Sequence, residues 1–148
     1  MADRPVIIRS PSAIRPWQHV LESLNGYMRL AEQLWERGPE FAQGWNFGPN
    51  DEDARPVSWI ADRLTSLWGE NARWELDSAQ HPHEATWLKL DCSKAKSLLG
   101  WSLKLCLSTT LEWIVEWYQG YRQDQNMRHL TESQIARFED LGSAPQPH

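Results

Sequence analysis

The stretch IRPWQHVLESLNGYMRLAEQLWERG, residues 14–38, decides how this chain is read. Its later part has the spacing of an amphipathic helix over 20–37. Val20, Leu21, Leu24, Tyr27, Met28, Ala31, Leu34 and Trp35 recur at helical intervals and make one apolar stripe. Gly38-Pro39 ends it. Residues 10–18 read as irregular, because Pro11 and Pro16 each remove a backbone donor and fix φ. Further toward the N-terminus, residues 5–9 read as a short strand bounded by Pro5 and Ser10-Pro11. No signal peptide opens the chain: Met1-Ala2-Asp3-Arg4-Pro5 runs straight into Val6-Ile7-Ile8.

Toward the C-terminus, Trp45-Asn46-Phe47 reads as a brief strand closed by Gly48-Pro49-Asn50. A helix is expected over 58–68, with Ser58 as N-cap and Ile60, Leu64, Leu67 and Trp68 on one face. Residues 73–76 read as a strand, 77–86 as a polar loop and 87–90 as extended chain. A short helix over 92–99 ends at Gly100. Thr109 with Glu112 fits a capping box for a helix over 109–123, whose core stripe is Leu111, Ile114, Val115 and Tyr118. Thr131 with Gln134 fits another for a last helix over 132–141, and residues 142–148 are expected to be disordered. Interspersed strands and helices give an α/β class, mostly helical with short strands. The strands are too few and too short for a full doubly wound sheet, so the chain reads as part of something larger.

The chain has 148 residues, the size of one ordinary domain. Hydrophobic residues at 41% and charged residues at 24% are a globular balance. Fifteen Lys and Arg against twenty Asp and Glu leave a formal charge of −5, which argues against a nucleic-acid or membrane-surface binder. No apolar run approaches the roughly 20 residues of a membrane helix. Cys92 and Cys106 have no metal spacing and make no disulfide framework, which places the chain in a reducing cytoplasm. Ten tryptophans in one small domain point to a well-packed core or a site with aromatic walls.

Much familiar chemistry is missing. The eight glycines never take the G-x-G-x-x-G spacing that lets a backbone approach a pyrophosphate. No phosphate loop, Y-x-x-x-K pair, G-x-S-x-G elbow or H-E-x-x-H is present. Cys106 has no nucleophile context and reads as a buried, inert thiol. What stands out is the first nineteen residues, with Arg4, Arg9 and Arg15 against the lone acid Asp3. Arginine presents a planar fork that matches phosphate. Arg15 beside Trp17 and His19 suits a phosphate with an aromatic wall, although solvated arginines and a packed indole would read the same way. The loop Gln80-His81-Pro82-His83-Glu84 suits substrate contact better than zinc, for which a four-ligand cluster is lacking, and a solvated turn would read the same way. The Trp113/Trp117 pair and Trp59 read as packing, and Glu112 with Glu116 as a solvated face.

The runs at 14–38, GWNFGPNDEDARPVSWI (44–60) and HPHEATWLKLDCSKAKSLLGW (81–101) together resemble the C-terminal part of the CDP-glucose 4,6-dehydratase family. These are lyases of the extended short-chain dehydrogenase/reductase group, NAD-dependent epimerase/dehydratases that act on nucleotide sugars. The resemblance covers nearly the whole chain. Other members of that group show Arg-Asp-Trp where this chain has Arg15-Pro16-Trp17. The resemblance implies conversion of CDP-D-glucose to CDP-4-keto-6-deoxy-D-glucose and water with bound NAD, in deoxysugar and O-antigen biosynthesis, by a homo-oligomer. It implies that residues 1–141 are the nucleotide-sugar-binding portion, that about 5–50 pack on the edge of an N-terminal Rossmann portion, and that this portion carries NAD and every catalytic residue.

By the same resemblance, Arg15 contacts the nucleotide diphosphate and Trp17, Gln18 and His19 form the turn behind it. Ile7 and Ile8 line the base pocket, and His83 and Glu84 approach from the opposing loop. Gln80 stands where many relatives have an arginine, a role Arg9 or Arg55 would then fill. No metal is implied. The alternatives are a non-catalytic nucleotide-sugar-binding module and a packing domain without a ligand. Without the Rossmann sheet, the stripe on helix 20–37 is expected to be exposed and the chain to be marginally stable or self-associating.

Overall fold

The computed structural model describes residues 4–79 and 85–141. Among them run β1 (Val6–Ile8), β2 (Ile14–Pro16), α1 (Val20–Arg37), β3 (Ala54–Pro56), α2 (Val57–Trp68), β4 (Trp74–Leu76), α3 (Ser93–Leu99), α4 (Leu107–Arg122) and α5 (Met127–Asp140), with single 3-10 turns at Gly38–Phe41 and Asp51–Asp53. β1 pairs in parallel with β4, and β2 pairs antiparallel with β3. The fold is a mixed helix-and-strand domain with two small sheets, in keeping with a partial α/β unit. None of the described helices is long and apolar enough to cross a membrane.

Three apolar clusters hold these elements. Phe41, Phe47, Cys92, Ala95, Leu99 and Trp101 form one, between α1 and α3. Ile60, Leu107 and Leu111 form the second, with Trp17, Trp59 and Leu64 against it. Leu105, Trp113 and Phe138 form the third, which joins α4 to α5. Trp101 and Trp113 are buried, so tryptophan density here does serve packing.

Several local expectations are corrected. Ile14–Pro16 is a strand, not irregular chain, because Pro16 sits at its end and costs the ladder little. Trp45-Asn46-Phe47 forms no strand; Phe47 is buried in the first cluster and Trp45 stacks on Phe41 with centroids 5.7 Å apart. Ser58 does not cap α2. The helix starts at Val57, and the carbonyls of Ala13 and Pro11 accept from Val57 N and Ser58 N at 3.0 and 2.9 Å. α4 starts two residues before the Thr109 box, because Leu107 is buried and extends the apolar face by half a turn. α5 starts at Met127, where the Asn126 side chain accepts from His129 N at 3.1 Å. Thr131 therefore lies within the helix and accepts from Trp117 Nε1 at 3.0 Å. Cys106 is exposed, not buried, while Cys92 is the buried thiol. Residues 142–148 lie outside the described residues.

Much of the apolar stripe on α1 is exposed, with Leu21 the partly buried exception. Val20, Leu24, Tyr27, Met28 and Leu34 are exposed, and Trp35 is 92% exposed. The packed side of α1 carries Glu22 and Gly26 instead.

Candidate nucleotide-sugar site

The ribbon of β2 and β3 organises the site. Arg15 lies directly opposite Arg55, so the two side chains leave the ribbon on one face. Two arginines in cross-strand register suit a site for a group of opposite charge. Arg55 is steadied by Trp59, its guanidinium 5.5 Å from the ring centroid. Arg15 Nη1 donates to the carbonyls of Ile14 and Ala85 at 2.8 and 3.0 Å.

The Ala85 contact matters because Ala85 follows Glu84 in the chain. Backbone bonds reinforce it: Ile14 N donates to Thr86 O at 2.8 Å, Leu88 N donates to Ile14 O at 3.2 Å, and Ile14 bridges Trp87. The structure thus stitches the Arg15 strand to the chain leaving the His83-Glu84 segment. His83, Glu84 and Gln80 themselves, with the His81/His83 pair weighed for zinc, lie outside the described residues. Among the described residues no group of three or more His, Cys, Asp or Glu could hold a metal ion.

The turn after Arg15 is locked by its own side chains. Trp17 Nε1 donates to Arg55 O at 3.0 Å, clamping the two strands. Gln18 Nε2 donates to Ser23 Oγ and Phe47 O at 2.7 and 2.8 Å. His19 is buried, and its Nδ1 accepts from Leu21 N at 3.2 Å, capping α1. Capping requires the neutral ring. Burial also lowers the His19 pKa from its ordinary 6.5, so the cap loses stability as pH falls below that value. Of this group, Arg15 carries the cation, and Trp17, Gln18 and His19 hold the turn that aims it.

Ile8 and Arg9 belong to the other sheet. Ile8 pairs with Leu76 at the end of β1, and Arg9 follows it, exposed. Ile7 is 55% exposed. Sequence reading missed the opposition of Arg15 and Arg55, although the twin Arg-Pro dipeptides at 15–16 and 55–56 were its signal. It also missed Glu22, which is fully buried. Glu22 Oε1 accepts from Lys104 N and Leu105 N at 2.9 and 2.7 Å, and its backbone carbonyl accepts from Trp101 Nε1 at 3.2 Å. Oε2 has no partner among the described residues.

No family model matches the chain. Over 136 residues it is 48% identical to CDP-glucose 4,6-dehydratase of Salmonella typhimurium, which is 92% of this chain. The chain matches one portion of that enzyme. It spans 38% of the dehydratase's length. Among the described residues, β1 leads into Arg9-Ser10-Pro11, not through a glycine-rich turn into a helix.

Proposed function

We propose that the chain is the nucleotide-sugar-binding portion of a CDP-glucose 4,6-dehydratase, inactive by itself. The observation that carries this reading is the seam between the Arg15 strand and the chain that leaves His83 and Glu84. It joins the Arg15 strand to the chain next to the opposing loop of the resemblance. Arg15 meets the diphosphate, with Arg55 supplying the second positive charge in place of the arginine that Gln80 replaces. By the resemblance, His83 and Glu84, outside the described residues, belong to the opposing loop of the site. Ile7 and Ile8 of β1 approach the base. In the whole enzyme the redox chemistry would be supplied by NAD held elsewhere; Arg15 and Arg55 of this chain would bind the substrate and orient it for that chemistry.

The catalytic groups and the NAD site belong to a portion not represented in these residues. The bare apolar face of α1 supports a seat for that portion there. The two free cysteines support a reducing cytoplasm as the compartment.

Calorimetric titration of the 148-residue chain with CDP-glucose, against dTDP-glucose, tests the reading. Binding of CDP-glucose that weakens about tenfold in Arg15→Ala and in Arg55→Ala supports it. Equal binding of both sugars, binding indifferent to both arginines, or no heat with either sugar overturns recognition by this chain.

A further inference from the structure

We infer, on the reading of the site proposed above, that Leu88 is a specificity-determining residue: its side chain meets the C–H face of the sugar ring next to the diphosphate. Register places it there. The chain at 86–88 lies along β2 on the side away from β3. Ile14 N donates to Thr86 O at 2.8 Å and Leu88 N donates to Ile14 O at 3.2 Å. This is the slanted pattern of a parallel pair, in which Ile14 stands beside Trp87. Residues side by side in a sheet share a face, and the next residue along each strand takes the other face. Ile14 therefore lies between Pro56 and Trp87 on one face. One step on, Arg15 lies between Arg55 and Leu88 on the opposite face.

The row Arg55, Arg15, Leu88 passes from charge to hydrocarbon. Neighbouring strands are about 4.8 Å apart, so the row is about 10 Å across. A nucleotide sugar has the same order, a diphosphate with a sugar ring on either side of it. Guanidinium groups match phosphate oxygens. An apolar side chain beside them suits the C–H face of the adjoining ring, whose hydroxyl groups stay in water. Leu88 is 50% exposed and so has apolar surface to cover. Trp87 is more exposed, at 65%, and by residue type alone is the better partner for a sugar ring or a base. Its register puts it on the face away from both arginines, with Ile14 and Pro56.

Calorimetric titration of the full chain with CDP-glucose, CDP and inorganic pyrophosphate tests this, in the unaltered chain, Leu88→Asn and Trp87→Ser. Both side chains are at least half exposed, so neither substitution empties a core position. Leu88→Asn is expected to weaken CDP-glucose binding about fivefold and to leave pyrophosphate binding unchanged. Trp87→Ser is expected to leave all three ligands unchanged. An equal loss for CDP puts the ribose on Leu88, and a loss confined to CDP-glucose puts the hexose there; either supports the contact. CDP-glucose binding indifferent to Leu88→Asn, an equal loss for pyrophosphate, or a larger loss in Trp87→Ser overturns the role of Leu88 and leaves the arginine site standing. No binding of CDP-glucose by the unaltered chain overturns the site and the role of Leu88 with it.

Discussion

Helices α1 and α4 are of similar length and both carry apolar stripes, yet they are held in opposite ways. α4 buries Leu107, Leu111, Trp113 and Val115 against α2 and α5. α1 buries only Glu22 and Gly26 and turns Leu24, Met28 and Trp35 to solvent. An amphipathic helix normally stays docked through its apolar side, at about 25 cal/mol per Å² removed from water. α1 is docked through a mixed side, where Leu21 and Leu30 pack on the clusters beside polar contacts. The Glu22 carboxylate takes two backbone donors, and Arg29 Nη1 donates to the carbonyls of Leu99 and Gly100 at 3.3 and 3.1 Å.

The contrast is sharpest in two tryptophans. Trp113→Ala removes a ring that meets His19 edge-on and carries Arg137 4.2 Å from its centroid, and is expected to cost about 3–5 kcal/mol in urea unfolding. Trp35→Ala is expected to stay within about 0.5 kcal/mol of the unaltered chain. Comparable losses would mean that the α1 face is covered in solution, by self-association if the loss depends on protein concentration.

Gly26→Ala comes next. A Cβ there would lie 2.6 Å from Phe47 Cε1, and the packed ring must yield. A loss of about 1–3 kcal/mol is expected. Gly44→Ala, with nothing within 4 Å of its Cβ, serves as the near-neutral control.

Glu22 gives a smaller, pH-dependent effect. Burial pushes its pKa above the ordinary 4.5, and the backbone donors of Leu105 and Lys104 offset part of the shift. The folded state therefore holds this proton more tightly than the unfolded chain. Stability should fall as pH rises from the ordinary value through the raised one. Glu22→Gln keeps the acceptor for both backbone donors and removes the titration, so urea midpoints in the variant should lose that decline. An unchanged slope would assign the pH dependence elsewhere. The smallest effect on stability is expected from Leu24→Ser/Trp35→Ser, which should barely move the midpoint yet shift gel-filtration elution toward the monomer. Elution as a monomer by both proteins would show that the bare face does not drive self-association.

Much of the fold was legible from periodicity. The 20–37 helix, the 73–76 strand and the short helix at 92–99 stand within a residue or two of expectation. Helix starts were less so. Thr109/Glu112 and Thr131/Gln134 both match a capping box and both lie inside helices, because the buried Leu107 and the Asn126 cap set the starts earlier. The β2–β3 ribbon escaped notice because a three-residue strand shows no alternation, and Pro16 and Pro56 read as breakers. At the site, Arg15 stood out by local charge. Its neighbour Arg55, forty residues on, becomes a partner only through pairing that no local pattern encodes.

The two sheets also differ in how they guard their edges. The β2–β3 ribbon ends each strand in a proline, Pro16 and Pro56, which cannot donate to an incoming strand. β1 has no such guard within it. Val6-Ile7-Ile8 pairs only with β4 among the described residues, and Val6 and Ile7 are both more than half exposed. Only its three-residue length, between Pro5 and Pro11, keeps this β-branched edge from templating another chain. In concentrated solution, cross-β growth would begin at β1, and a lysine in place of Ile7 would be the economical way to stop it.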